Sequence, residues 1–79
     1  MLMPNKFKKH QKIVLLANPS QEYIEYEPGF ESSPIQKGAL GEINMILPNG
    51  KYHVKIIDKK GNAIAYVPLD EEEMGSAEE

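Results

Sequence analysis

The clearest signal in the chain is an alternation of apolar and polar residues that begins at Gly41. From Gly41 to Leu47, Ile43, Met45 and Leu47 alternate with Glu42 and Asn44. A period of two predicts a strand with one buried face, because successive strand side chains point to opposite sides. Lys51 to Asp58 repeats the pattern: Tyr52, Val54 and Ile56 alternate with His53 and Lys55, and Ile57 falls on the polar side. Ala63 to Leu69 reads as a third strand, with Pro68 near its end and therefore near a sheet edge. Pro48-Asn49-Gly50 reads as a hairpin turn, since Asn-Gly supplies the positive φ angles of a type I′ turn. Lys59-Lys60-Gly61-Asn62 makes the next turn, and the three strands form a meander.

The regions on either side are less regular. Lys12 to Asn18 is a further strand candidate, carried by Ile13, Val14, Leu15 and Leu16 and ended by Asn18-Pro19-Ser20. Residues 19–37 hold three prolines, four glutamates, Tyr23, Ile24, Tyr26 and Phe30, without a helical stripe. Tyr23-Ile-Glu-Tyr26 fits a short irregular strand, and Pro28-Gly29 and Ser32-Ser33-Pro34 mark turns. A loop of this length in a small domain is commonly functional or mobile. Asp70-Glu-Glu-Glu73-Met74 has the form of a helix start, with Asp70 capping and Glu73 three residues on. Gly75 limits it to one turn. The expected organisation is a flexible basic arm over 1–11, a domain over 12–75 and an acidic tail over 76–79.

Length and composition narrow the class. Seventy-nine residues make one domain. The sequence lacks cysteine, so it has no disulfide framework, thiolate metal site or cysteine nucleophile, which favours a cytoplasmic location. The first residues form no signal peptide, and no apolar run approaches the ~20 residues that span a bilayer, so a soluble protein without a membrane partner is expected. The net charge is −3. Lysines and His10 gather at the start, acids gather from Asp70 onward, and there is no arginine. Arginine is the usual bidentate reader of bases and phosphates, so sequence-specific DNA reading is disfavoured.

The elements together predict an all-β (mainly β) fold. Their order, a strand, a long loop, a three-stranded meander and one short helical turn near the C-terminus, is similar to that of a small SH3-like barrel of about five strands. The residues that carry the likeness are Lys12-Ile-Val-Leu-Leu16, Lys37-Gly-Ala-Leu-Gly41, Pro48-Asn-Gly-Lys-Tyr-His-Val-Lys-Ile56 and Ala65-Tyr-Val-Pro-Leu-Asp70. The pattern also resembles a family of short bacterial proteins of unknown function and, more weakly, KOW-type modules. The SH3-like resemblance implies a last short strand after the helical turn and a specificity loop at residues 19–37. The KOW-like one implies RNA or ribosome binding. Peptide-binding SH3 domains carry a groove tryptophan, and this chain has none.

Candidate chemistry is sparse. A nucleophile needs an adjacent base held by a third group, and no spacing of His10, His53 and the four serines supplies that set. His53 reads as a solvated strand histidine. The acids from Asp70 to Glu73 sit on one turn and point in different directions, unlike the converging oxygens of an EF-hand. No cofactor, metal or catalytic residue is therefore expected. The leading expectation is a non-enzymatic module that binds another protein through Tyr23, Tyr26 and Phe30 of the long loop and the adjacent strands. The opposing possibility is that these rings only cover the core. An alternative is nucleic-acid binding through Lys6, Lys8, Lys9 and Lys12, and another is an accessory subunit of a larger complex.

Overall fold

The computed structural model describes residues 6–77. Six strands form: β1 (Lys12–Leu15), β2 (Glu25–Tyr26), β3 (Leu40–Ile46), β4 (Tyr52–Ile57), β5 (Ala63–Leu69) and β6 (Met74–Ser76). Single 3-10 turns at Gln21–Tyr23 and Glu71–Glu73 precede β2 and β6. The strands make one antiparallel sheet in the order β2-β5-β4-β3-β1-β6, which is not closed. The fold is thus mainly β, with six strands against the expected five or so, and the short strand expected over Tyr23–Tyr26 forms at Glu25–Tyr26, paired with Tyr66 and Ala65 of β5.

Alternation places β4 and β5 as expected. Tyr52, Val54 and Ile56 are buried with Ala65, Val67 and Leu69, and they meet Ile13 and Leu15 of β1, Ile43 of β3 and Met74 of β6 in one cluster. These side chains come from one face of the sheet, so its other face is turned to solvent.

β3 departs from the simple pattern. Ile43 pairs with Val54 but Met45 pairs with His53, leaving Asn44 as an extra residue. A bulge of this kind shifts the alternation by one. Met45, expected inside, is 49% exposed on the outward face, and Ile46 packs against the core in its place.

The β3–β4 turn is also not type I′. Gly50 has φ +85°, whereas Asn49 is not in the positive-φ region. The Gly50 N–H donates to Leu47 O at 3.2 Å, which makes Pro48 the first central residue. Proline's fixed negative φ suits that position and is incompatible with a primed turn. The β4–β5 turn follows the same plan: Gly61 has φ +88° and its N–H donates to Asp58 O at 3.0 Å.

Of the residues assigned to a flexible basic arm, 1–5 lie outside the described residues, as do Glu78 and Glu79 of the acidic tail. Residues 6–11 fold back onto the sheet. His10 adopts φ +71°, and its N–H donates to Ile43 O at 2.7 Å, while the Ile43 N–H donates to Gln11 O at 2.9 Å. The turn carries Phe7 into the core, where it is 2% exposed and meets the Tyr52 ring edge-on at 5.7 Å. The Phe7 N–H donates to the Tyr52 hydroxyl at 3.3 Å, and that hydroxyl donates to Glu71 Oε2 at 2.9 Å. The same Glu71 oxygen accepts the Lys6 N–H at 3.1 Å. One carboxylate therefore fastens the first described residues to the turn before β6.

These bonds, the Lys6 N–H first and the Tyr52 hydroxyl second, hold the Glu71 carboxyl below its ordinary value of 4.5. A depressed carboxyl pKa adds stability above the ordinary value, and that stability is lost as pH falls through the depressed one. Glu71→Gln should therefore lower the melting temperature at neutral pH, and the gap should begin to narrow below the ordinary value of 4.5 and close once pH has fallen past the depressed one. Parallel melting curves across pH check this, and a gap that persisted unchanged into acid would refute the assignment.

Candidate functional site

Residues 19–37 connect β1 to β3 and touch the sheet on the way through β2, at its far edge against β5. Their neck is closed by three bonds: Gly38 N–H to Leu15 O at 2.8 Å, Leu15 N–H to Ala39 O at 2.9 Å and Lys37 N–H to Asn18 Oδ1 at 2.8 Å. Within the loop, Ile24 and Ile35 are buried in the core. The loop is thus part of the core's wall as well as a connection.

The structure separates the three aromatic residues nominated for partner binding. Tyr26 lies on β2 opposite Ala65, shares that residue's inward side and packs against the core. Its hydroxyl donates to Gln21 Oε1 at 3.5 Å, a marginal bond. Phe30 is half-buried, and its carbonyl accepts the Ser33 N–H at 2.9 Å. Tyr23 alone presents most of its side chain to solvent, at 59% exposure. Neither ring pair found among the described residues, Phe7–Tyr52 and His53–Tyr66, includes a loop aromatic.

The four nominated lysines are exposed but do not act alike. The Lys6 ammonium sits 5.5 Å from the Phe7 ring centroid, a cation–π contact. Lys8 and Lys9 occupy the turn before His10. Lys12 stands across from Glu42 in a cross-strand row that continues through Lys55, Tyr66 and Glu25. Glu42 approaches both His10 Nδ1 at 3.4 Å and Lys55 Nζ at 3.7 Å. The lysines are therefore interleaved with acids on the outward face rather than ranged as a continuous basic track.

The acids of the last turn are held in separate directions. Asp70 Oδ1 takes the Lys51 ammonium at 3.0 Å, Glu71 takes the Lys6 N–H and the Tyr52 hydroxyl, and Glu73 Oε1 takes the Asp70 N–H at 2.8 Å. The last bond is the Glu73 half of the expected capping box.

A different cluster emerges on the outward face. Met45, His53 and Pro68 are register partners across β3, β4 and β5. The His53 ring stacks on Tyr66 at 5.4 Å with 13° between planes, and Asn44 Nδ2 lies 3.0 Å from His53 Nδ1. Burial pushes the Tyr66 phenol above its ordinary value, with the Glu27 carboxylate adding to it. The Tyr66 hydroxyl thus remains a donor across the ordinary pH range. Because β2 runs antiparallel to β5, residues before Glu25 lie alongside residues after Tyr66, which brings Tyr23 to the Pro68 side of this row.

On the outward face, exposed Met45 thus stands beside the stacked His53–Tyr66 pair, and exposed Tyr23 lies in the unpaired 3-10 turn that leads into β2 from the Pro68 end. Sequence alternation marks His53 as an outward residue, but it places Met45 inside because it cannot register the bulge at Asn44. Compared with known proteins, the chain matches no family model, no curated protein and no solved structure.

Proposed function

We propose that the chain is a non-enzymatic interaction module, built on an SH3-like barrel, that binds another protein through the loop 19–37 and the outward face of the adjacent strands. The barrel reading is supported by the order of parts: β1, a long loop, the β3–β4–β5 meander, one 3-10 turn and a last short strand. It is supported further by β1 pairing with β3 on one side and β6 on the other, around a single core. The observation that carries the binding reading is the exposure of two large apolar side chains, Tyr23 on the loop and Met45 beside the stacked His53–Tyr66 pair. Tyrosine and methionine are both enriched at protein interfaces, the first for apolar area with a polar tip and the second for its adaptable shape.

Tyr23→Ala combined with Met45→Ala should leave the melting temperature within the small range of exposed substitutions. It should weaken partner binding by about 2 kcal/mol or more, roughly thirtyfold, if both are anchors. Proteins retained from host extract by wild type and lost by the variant are the readout. Equal retention by both would sink the assignment. Tyr26→Ala serves as the contrast, since it should lower stability by uncovering the core edge.

A further inference from the structure

A concavity lies away from Tyr23 and Met45, between the start of β1, the start of β3 and the β4–β5 turn. It encloses about 400 Å³, within the roughly 300–1,000 Å³ of ordinary ligand sites. Leu40 and Ile57, which are register partners, contribute its apolar floor, and Leu40 is 44% exposed. Lys12, Lys59 and Lys60 line it, and none of the three forms an ion pair among the described residues.

The acid that lines the concavity, Asp58, is occupied by the turn itself. Its Oδ1 accepts the Lys60 and Asn62 N–H groups, each at 2.9 Å, and its Oδ2 accepts Asn62 Nδ2 at 3.3 Å. The Asn62 N–H above all holds the Asp58 carboxyl below its ordinary value, so it stays ionised as a structural acceptor. Among the lining residues three lysines stand against one committed carboxylate, and Glu42, across the ladder from Lys12, is already engaged by His10 and Lys55.

We propose that this groove is a docking site for an acidic peptide segment of a partner protein, with its carboxylates among Lys12, Lys59 and Lys60 and an apolar side chain seated on Leu40 and Ile57. Charge complementarity selects the acid, and lysine ammoniums meet carboxylates without the fixed fork geometry that arginine imposes. The floor selects the apolar neighbour, which a bare anion would not use. A nucleic-acid backbone is the poorer fit because it offers no aliphatic side chain for the Leu40–Ile57 floor. The site stands independently of Tyr23 and Met45.

Amide spectra of the full chain, titrated with a short end-capped peptide carrying a leucine between glutamates, test the site. The amides of Lys12, Leu40, Ile57, Gly61 and Ala77 should shift together, and added salt should weaken the effect. K59Q combined with K60Q should weaken binding roughly five- to tenfold while the remaining spectrum stays folded. Tyr23→Ala should leave this binding unchanged, so failure here and failure of the Tyr23–Met45 reading are separable. Absence of shifts at millimolar peptide would overturn the proposal. So would equal shifts from a glutamine-for-glutamate peptide, or shifts produced by oligouridylate in place of the peptide.

Discussion

Phe7→Ala should cost about 3–5 kcal/mol of folding stability, the range for truncating a large buried ring. A chain of 79 residues has on the order of 4–12 kcal/mol in total, so the loss should take from about a quarter of that stability to all of it. The loss has two sources. The cavity strips the Tyr52 ring of its edge-on neighbour, and the segment that delivers the Phe7 N–H to the Tyr52 hydroxyl loses its reason to stay. Urea unfolding of the variant measures the effect. A midpoint near that of wild type would show that residues 6–11 are dispensable to the core. Phe7→Leu provides the graded control and should fall between the two.

Gly41 gives the second large effect, in the opposite sense of adding atoms. It pairs with Ile13 on one side and Ile56 on the other, so it lies in the middle of the sheet. A Cβ there would come within 2.9 Å of Val54 Cγ1, 3.0 Å of the Lys55 carbonyl oxygen and 3.1 Å of Ile13 Cδ1. The carbonyl belongs to the ladder and cannot turn away. Overpacking of this kind costs about 1–3 kcal/mol, more than the 0.5–1 kcal/mol or so that alanine recovers over glycine through a stiffer unfolded chain. Gly41→Ala should therefore lower the melting temperature, and Gly41→Val should lower it further by adding branches to the same contacts. An unchanged melting temperature for Gly41→Ala would mean that β1 and β4 lie farther apart than described.

The contrast between these residues shows what was legible in the sequence. β4, β5 and the capped acidic turn follow from periodicity and local chemistry, and their residues lie where the pattern puts them. Phe7 carries no periodic signal, because an isolated aromatic among lysines looks alike whether it trails in solvent or plugs a core. Its place depends on His10 turning the chain back, a tertiary event. Met45 was misread for a related reason: the bulge at Asn44 is an insertion in pairing rather than in sequence, so alternation continues past it on paper while the side chains change faces. Pro48 carries a signal of its own, since its fixed φ excludes the primed turn that Asn49-Gly50 suggests. Of the candidate site, the position of Tyr23 in an exposed loop was readable. The convergence of Met45, His53 and Tyr66 needed the register of three strands.

The pairing of β1 with β6 joins segments far apart along the chain. The β3–β4–β5 meander needs only neighbours in sequence. β1 instead takes β3 on one side and β6 on the other, so Leu15 meets Met74, while Lys6 and Tyr52 meet the Glu71 carboxylate. Contacts of such sequence separation carry the larger loop-closure cost, and the completion of the core rests on them.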